Sequence, residues 1–465
     1  MVSIKNSNMK YSGQWRLTGL LNMSIAGVLL AAPAFAQTDA ERINELERKL
    51  ERSLKMLDDL SSKIDKMEAD KKEASGGVLD ANSRSDTNSR LETVEQQVSQ
   101  MVTGMAGSSG SGHEDEEVLL HGFADVGFAS NSEGNPAANP KGFNVGSFNI
   151  FLTPQFGDNV KALVELAFEV HKDGSAETDL ERVQAGYTFS DMSTVWAGRF
   201  HTPYGYWNTA FHHGVQIQTS IMRPRFLDFE EHSGILPAHM VGVWATGKVK
   251  AGDGRLTYDA FVGNGPKIKV VDPGSPTQTA GVLNPNMAGD DNHSAMVGLN
   301  VGYEIYGSLD GLRVAGHWFK GDVDDNAVNP AGRFNRTSVN MAGGSAVYLA
   351  NDLEVLSEYY RFNNKDKSGT TGTHKSWAGY LQVGKNFTNT TPFVRLEKTV
   401  LSQQDNYFSM QMGGQSYIRQ ALGLKYDVNQ KSSLKFELLN SDFDAEIGRT
   451  AYRYSSLFAQ YAIRF

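Results

Sequence analysis

Histidines and carboxylates are concentrated between residues 201 and 239, and these side chains are common ligands of divalent metal ions. The histidines are His201, His212, His213, His232 and His239. Their spacing does not form a compact motif such as H-E-x-x-H, in which two histidines one helical turn apart hold zinc. We therefore expect no metal ion and no other cofactor.

The residue patterns of common catalytic sites are also missing from the sequence. The chain has no cysteine, so it has no thiol nucleophile, no thiolate metal ligand and no disulfide. Neither a G-x-S-x-G nucleophile elbow nor the full phosphate-binding motif G-x-x-x-x-G-K-[ST] occurs. We expect that the protein is not an enzyme.

Charge and hydropathy exclude two further classes of protein. The formal net charge of −9 argues against a nucleic-acid partner. No apolar run long enough for a membrane-spanning helix occurs after the N-terminal region.

Residues 1–36 have the pattern of a secretory signal peptide. Lys5, Lys10 and Arg16 precede an apolar core over residues 17–32, and Ala34-Phe35-Ala36 fits a small-x-small cleavage site. The alternative is a retained anchor helix, which the short and interrupted apolar core disfavours.

Residues 37–105 are predicted to form a coiled coil. Ile43, Leu50, Leu57 and Ile64 recur every seven residues, and such a narrow apolar seam needs partner helices. The pattern leaves the number of helices open. Residues 106–117 are rich in glycine, serine and acidic residues, which predicts a flexible acidic linker.

Residues 118–465 show an alternation of apolar and polar residues that is typical of β-strands. Val160, Val164 and Phe168 share one face of such a strand, whereas Lys161 and Glu165 share the other. In a soluble sandwich, these faces would be core and solvent. In a membrane barrel, they would be lipid and a water-filled lumen.

Sixteen strands are predicted from this alternation and from the turn residues between them. They lie near 118–129, 143–154, 160–171, 179–189, 194–202, 239–250, 255–264, 293–306, 311–321, 337–349, 353–362, 374–386, 391–400, 416–426, 432–441 and 454–465. Most are about 9 to 13 residues long, which suits a tilted membrane crossing. Tight turns alternate with long links, including 203–238, 265–292 and 322–336. The prediction is therefore an all-β transmembrane barrel of about 16 antiparallel strands, preceded by a helical coiled coil.

Aromatic residues near the predicted strand ends fit a girdle at the membrane interface. They are Tyr187, Phe189, Trp196, Tyr426 and Phe465.

With these features, the chain resembles the trimeric porins of Gram-negative outer membranes. The resemblance rests on the signal peptide, the alternation, the loop asymmetry and the terminal Tyr461-Ala462-Ile463-Arg464-Phe465, and it covers residues 118–465. A coiled coil before the barrel is similar to a subset that includes dicarboxylate-uptake and phosphate-selective porins. The resemblance implies a homotrimer in the outer membrane, in contact with lipid and lipopolysaccharide, with the coiled coil in the periplasm. It also implies that the barrel-assembly machinery recognises Phe465.

The resemblance further implies that the loop 203–238 folds into the pore and narrows it. Its acidic side chains Asp228, Glu230 and Glu231 would form one side of the constriction. Basic side chains that face the lumen by alternation would form the other side, and they include Arg182, Arg199, Arg395 and Arg419. Opposed charges across a narrow water-filled gap create a transverse field that favours polar solutes. The alternative for each arginine is an ion pair that braces the barrel wall.

Passive uptake of small hydrophilic solutes is the function expected from these features, with anions or dicarboxylates as the first expectation. Two alternatives stay open at this point. The chain could be an envelope tether whose coiled coil binds a periplasmic or cell-wall partner, or the barrel could be a sheath for a redox protein.

Overall fold

The computed structural model describes most of the region from residue 119 to the end of the chain. The described residues are 119–132, 141–170, 174–190, 192–211, 213–271, 279–285, 289–290, 293–328, 334–369, 371–446 and 448–465. The predicted signal peptide (1–36), coiled coil (37–105) and linker (106–117) lie outside the described residues.

The described chain folds into strand segments joined by turns, loops and very short helices. The strands are β1 (Leu119–Asn131), β2 (Gly142–Thr153), β3 (Gln155–Phe156), β4 (Val160–Val170), β5 (Ala176–Ser190), β6 (Ser193–His201), β7 (His239–Ala251), β8 (Gly254–Asn264), β9 (Lys267–Val271), β10 (Thr279–Asn284), β11 (Ala295–Ile305), β12 (Leu312–Val328), β13 (Phe334–Ala350), β14 (Leu353–Asp366), β15 (Thr373–Lys385), β16 (Thr390–Val400), β17 (Tyr417–Asn429), β18 (Ser432–Phe443) and β19 (Tyr452–Arg464). Helices α1 (Trp207–Ala210) and α2 (Asn406–Ser409) and 3-10 turns at Arg225–Leu227 and Gly307–Leu309 lie in the links. In the described part of the chain, no helix is long and apolar enough to cross a membrane.

These strands close into a single antiparallel barrel. Segment β3 continues β2 after one residue, and the β9–β10 hairpin stands outside the ring, so the barrel has 16 strands. Closure comes from β1, which pairs with β2 on one side and with β19 on the other, where Phe123 lies opposite Arg464. The predicted 16-stranded antiparallel barrel is therefore confirmed.

Burial in this barrel is inverted relative to a soluble protein, as β16 shows. Arg395 and Glu397 point inward and are 0% and 2% exposed, whereas Val394 and Leu396 point outward and are 50% and 57% exposed. The pleat places successive side chains on opposite faces, so a strict alternation in sequence becomes a charged lumen and an apolar exterior.

The links alternate in length around the barrel. Tight turns such as Asn351-Asp352 join strands at the rim where β1 begins and β19 ends, and both residues adopt positive φ angles of 53° and 58°. Asparagine and aspartate tolerate this left-handed region better than other non-glycine residues. The longer links all lie at the opposite rim, called here the long-loop rim, so both ends of the barrel share the short-turn rim.

Two links differ from the prediction. The predicted link 322–336 shrinks to 329–333 because β12 and β13 extend to Val328 and Phe334. The predicted link 265–292 contains the β9–β10 hairpin, whose Gly281 exchanges backbone hydrogen bonds with Met410 and Met412 of the link between β16 and β17 (2.9 and 2.7 Å). Hydrogen bonding between two loops far apart in sequence leaves no periodic signal in either of them.

One member of the predicted aromatic girdle was placed on the wrong face. Trp196 is 1% exposed and stacks on Trp244, with ring centroids 6.3 Å apart, inside the barrel. Tyr187, Phe189 and Phe465 are exposed, at 44%, 66% and 43%, as an outer girdle requires.

Candidate functional site

The link between β6 and β7, residues 202–238, folds into the lumen and is called here the inserted loop. Its aromatic side chains pack on inward-facing rings of the wall: Tyr204 lies 5.7 Å from Phe319 and 6.0 Å from Tyr360, and Trp207 lies 5.7 Å from Tyr380, between ring centroids. The loop therefore fills the lumen on the side of β12, β14 and β15 with a closely packed aromatic core.

Wall carboxylates hold the inserted loop through its backbone amides. Glu358 accepts hydrogen bonds from the amides of Tyr206 and Trp207 (2.9 and 2.8 Å). Glu437 accepts from Ile221 and Met222 (2.6 and 3.0 Å). In the same way, Glu397 accepts from the amide of Arg225 (2.8 Å). Hydrogen bonds to a charged group contribute about 1.5–3 kcal/mol each, so this set fixes the path of the loop.

Wall cations hold the same loop through its carbonyl oxygens. Arg395 donates to the carbonyl of Met222 (2.9 Å) and forms ion pairs with Glu397 (2.8 Å) and Glu437 (3.4 Å). On β17 and β18, Lys425 donates to Ile217 (3.3 Å), and Lys435 donates to Val215 and to Ser220. The wall thus binds the loop with charges of both signs. Its carboxylates accept hydrogen bonds from backbone amides, and its cations donate to backbone carbonyls.

A second polar network holds the two ends of the loop, where His201 and His239 lie opposite each other in the pairing of β6 with β7. His239 contacts Glu181 through Nε2 (2.6 Å) and Glu230 through Nδ1 (3.1 Å). His213 of the loop contacts Glu165 through Nδ1 (2.7 Å). Histidines and carboxylates alternate through this network, called here the neck network, so each of the buried carboxylates Glu165, Glu181 and Glu230 has an imidazole nitrogen within hydrogen-bond distance.

A lumenal cavity of about 570 Å³ remains between the inserted loop and the inward faces of β1, β2, β17 and β19. Its charged lining contains both signs: Arg223, Arg225 and Arg419, and Asp125, Glu169 and Asp228. Charges of both signs on the lining of such a cavity would act on a polar solute that entered it.

Aromatic rings and arginines lie together at one edge of this cavity. The rings of Phe443 and Tyr452 stack 4.3 Å apart, and the Arg225 guanidinium lies 5.2 Å from the centroid of Phe443. Arg419 donates to the Tyr454 hydroxyl (3.1 Å) and to the Ser441 hydroxyl (2.9 Å). These contacts fix both guanidiniums in position, so their charges are held at set points along the cavity wall.

Two titratable groups of the inserted loop lie next to each other beside the cavity. Burial within the barrel raises the pKa of Glu231 to about 7. Burial alone would lower the pKa of His232, but the carboxylates of Asp228, Glu231 and Glu169, which lie 3.9–4.0 Å from its ring nitrogens, raise it above its ordinary value. The charge on this part of the loop therefore changes near neutral pH.

The structure separates the predicted site residues into two groups. Arg419 and Asp228 line the lumenal cavity, and Glu231 neighbours His232 beside it. The others make contacts within the wall or with the loop. Arg182 pairs with Glu165, and Arg199 donates to the carbonyl of Leu180 and lies 3.7 Å from Glu181. Glu230 pairs with His239, and Arg395 anchors the loop. The cavity arginines Arg223 and Arg225 were missed, although the segment Arg223-Pro224-Arg225 places two cations in an inserted loop.

A metal centre is not formed by the described residues: among them, no group of three or more His, Asp or Glu side chains is arranged to hold a metal ion. The imidazoles of the neck network instead make close contacts with carboxylates.

No protein-family model matches the sequence, and no curated protein matches it. Solved structures of similar shape include the anion-selective porin from Comamonas acidovorans, with 13% identity and a TM-score of 0.48 over 76% of this chain and 100% of that chain. They also include OmpT, an outer membrane protein of Vibrio cholerae, with 11% identity and a TM-score of 0.44 over 77% and 100% of the two chains. Salmonella typhi OmpF in complex with daunomycin has 11% identity and a TM-score of 0.43 over 75% and 98%. The barrel assignment itself rests on the strand pairing described above.

Proposed function

We propose that the protein is an outer-membrane channel for the passive diffusion of small hydrophilic solutes. One observation carries this proposal: the barrel is apolar outside and charged inside, and a charged cavity stays open beside the inserted loop. An apolar exterior is stable in lipid, because a closed barrel satisfies its own backbone hydrogen bonds there. Passive diffusion involves no chemical step, and we propose that the protein is not an enzyme.

The orientation follows from the two kinds of link. Short turns are typical of the periplasmic side of bacterial barrels, and longer loops are typical of the outer side. In this orientation, both ends of the barrel lie on the periplasmic side, and we propose the periplasm also for the predicted coiled coil, residues 37–105. The inserted loop enters the lumen from outside, and its packed aromatic core leaves no room for a redox protein.

We propose a modest preference for anions, with dicarboxylates as one candidate class. Three arginines and His232 line the cavity against three carboxylates. The carboxylates beside His232 raise the pKa of its ring above the ordinary value, which favours the charged form of this side chain. A transverse field between the two signs also favours dipolar solutes over apolar ones.

A homotrimer is proposed from the resemblance, together with recognition of the C-terminal residue during assembly. The Phe465 ring stacks on Phe148 (5.8 Å, 18°), and its backbone exchanges two 3.0 Å hydrogen bonds with Gly122. Phe465 thereby completes the seam between the last strand and the first two.

Planar-bilayer recording of the purified protein tests these proposals together. We expect discrete openings in groups of three, and reversal potentials under a salt gradient that indicate anion preference. Correctly folded, heat-modifiable protein that produces no openings would refute the channel, and single-unit openings would refute only the trimer.

A further inference from the structure

The link between β16 and β17, residues 401–416, contains helix α2 and is called here the α2 link. Its side chains Tyr407 and Phe408 are buried in the aromatic core that the inserted loop forms with the wall. The Tyr407 hydroxyl donates to the carbonyl of Ile235 in the inserted loop (2.6 Å), and the ring of Phe408 lies 5.1 Å from that of Phe362 on β14, between centroids. None of the residues of the α2 link, all of which the structure describes, lines the lumenal cavity. The α2 link thus covers the packed side of the lumen at the long-loop rim.

The β9–β10 hairpin fixes one edge of the α2 link. Its Gly281 exchanges the two backbone hydrogen bonds with Met410 and Met412 described above. Its side chains Ile268 and Val270 are buried in the same aromatic core. This edge is therefore held both by backbone pairing and by apolar packing.

Arg449 fixes the opposite edge, at the end of helix α2. This residue belongs to the link between β18 and β19, and its Nη2 donates to the carbonyls of Ser409 (2.9 Å) and Gln411 (2.6 Å). The last carbonyls of a helix have no partner within the helix, and a guanidinium can satisfy more than one of them because it carries five N–H groups in one plane. One side chain therefore supplies the donors for this end of the α2 link.

The backbone around Arg449 is held independently of its side chain. Glu446 and Arg449 exchange two backbone hydrogen bonds of 3.0 Å, and the Gln415 side chain donates to the carbonyl of Thr450 (3.1 Å). The Glu446 carboxylate accepts from the amide of Ser416 (2.9 Å). Shortening the Arg449 side chain therefore removes its contact with the end of α2 and leaves these bonds in place.

We propose that Arg449 is a positioning residue that keeps the α2 link closed as a cap over the aromatic core and thereby confines water and solutes to the lumenal cavity. The inference rests on the channel function proposed above. Without the guanidinium, water is the remaining donor for the carbonyls of Ser409 and Gln411. Since these carbonyls must be hydrogen-bonded, their hydration favours a state in which this end of the α2 link has lifted from the core.

The test measures how fast a water-soluble methanethiosulfonate reacts with a cysteine beneath the cap. Ile235→Cys places the only thiol of the chain at a fully buried position next to Tyr407. The full-length protein carries this change alone, with Arg449→Ala or with Arg449→Lys. Arg453→Gln is the matched control, because Arg453 is an exposed cation a few residues further along the chain and pairs with Asp442 instead of the α2 link.

Arg449→Ala should raise the labelling rate at least about tenfold, since one hydrogen bond to a charged group changes an equilibrium by about that factor. Arg449→Lys, which keeps a cationic donor, should restore most of the protection, and Arg453→Gln should leave the rate unchanged. Equal rates in the Arg449→Ala and Arg453→Gln backgrounds would overturn the inference. Ala210→Cys, a smaller change in the same core, repeats the measurement if Ile235→Cys does not fold.

Bilayer recordings on the same preparations separate this inference from the proposed function. Open Arg449→Ala channels should carry a noisier current than Arg453→Gln channels, because ions then reach the packed side of the lumen intermittently. Channels that open normally but show equal labelling in all backgrounds would refute the cap alone. A wild-type protein that never opens would refute the channel itself.

Discussion

Replacing Arg395 distinguishes two roles for this residue: an anchor of the inserted loop and a selectivity residue of the channel. It is fully buried on the inward face of β16, where it forms ion pairs with Glu397 and Glu437 and donates to the Met222 carbonyl. Arg395→Ala removes the positive charge between two carboxylates that also bind loop amides. We therefore expect the segment around residues 221–225 to leave the wall.

The size of the effect follows from burial. Removing one partner of a buried charge network costs about 3–5 kcal/mol, because the remaining charges lose their compensation. At about 1.4 kcal/mol per tenfold change, the ratio of attached to released loop falls by a factor of about 10² to 10⁴. The barrel strands keep their backbone pairing, so the barrel itself should stay folded.

Single-channel recording is the assay for this prediction. Arg395→Ala should give larger and noisier openings than the wild type, with little change in reversal potential. Lys398→Ala is the matched control, because Lys398 lies on the same strand but points outward and is exposed. Wild-type conductance and noise in heat-modifiable Arg395→Ala protein would refute the anchoring role, and a shift in reversal potential alone would identify Arg395 as a selectivity residue.

Three further predictions concern the lumenal cavity and the loop. Arg419→Ala should lower the anion-to-cation permeability ratio by up to about fivefold, since a unit charge acts on an ion about 4 Å away in water with about 1 kcal/mol. Lowering the pH from 8 to 6 should raise the anion preference, because Glu231, with a pKa of about 7, loses negative charge beside the ring of His232. Reversal potentials of the wild type and of Glu231→Gln with His232→Gln measure this change. Gly205→Val should enlarge the conductance, because Gly205 has a φ of 63° and a Cβ atom there would lie 2.1 Å from a carboxylate oxygen of β14.

Each of these predictions has a control and a contrary result. Gln420→Ala changes the exposed neighbour of Arg419 and should leave the permeability ratio unchanged. A pH response that persists in the double variant would assign the titration to other groups. Gly214→Ala is the control, because its Cβ atom would lie 3.3 Å from the end of the Ile217 side chain, which a small shift of that side chain relieves. A conductance increase there as large as in Gly205→Val would contradict the argument from close contact.

The barrel was predictable from the sequence because its determinants are local. Alternation with a period of two sets which side chains face inward, and clusters of Gly, Asp and Asn mark the turns. Trp196 shows where this reasoning reaches its limit. Two residues after Trp196, on the same short strand, Gly198 has a φ of 129°, an angle that residues other than glycine rarely adopt. Alternation alone is a weak guide to the face of Trp196 on such a strand. An aromatic residue near a strand end fits an outer girdle and an inner core equally well until the register is known.

The site was less predictable, and β16 and β17 show why. Arg395 and Arg419 both face inward by alternation, yet Arg395 is covered by Met222 and Arg223 of the inserted loop, whereas Arg419 lines the cavity. Their different roles depend on contacts with a loop about two hundred residues away, and no pattern along either strand records such contacts. The same applies to Glu358 and Glu437, whose partners are backbone amides without any sequence signature.

The most direct test of solute passage through the lumenal cavity is to block the channel with a thiol reagent at a single introduced cysteine. Only that cysteine can react, because the natural chain contains none. Ala129 lines the lumenal cavity and is 5% exposed, whereas its neighbour Ser130 is exposed on the outer face. In planar bilayers, a bulky water-soluble methanethiosulfonate should close or strongly reduce the current of Ala129→Cys and leave that of Ser130→Cys unchanged. Undiminished current through fully labelled Ala129→Cys would contradict the account, because solutes would then cross the barrel by a route other than the cavity beside the inserted loop.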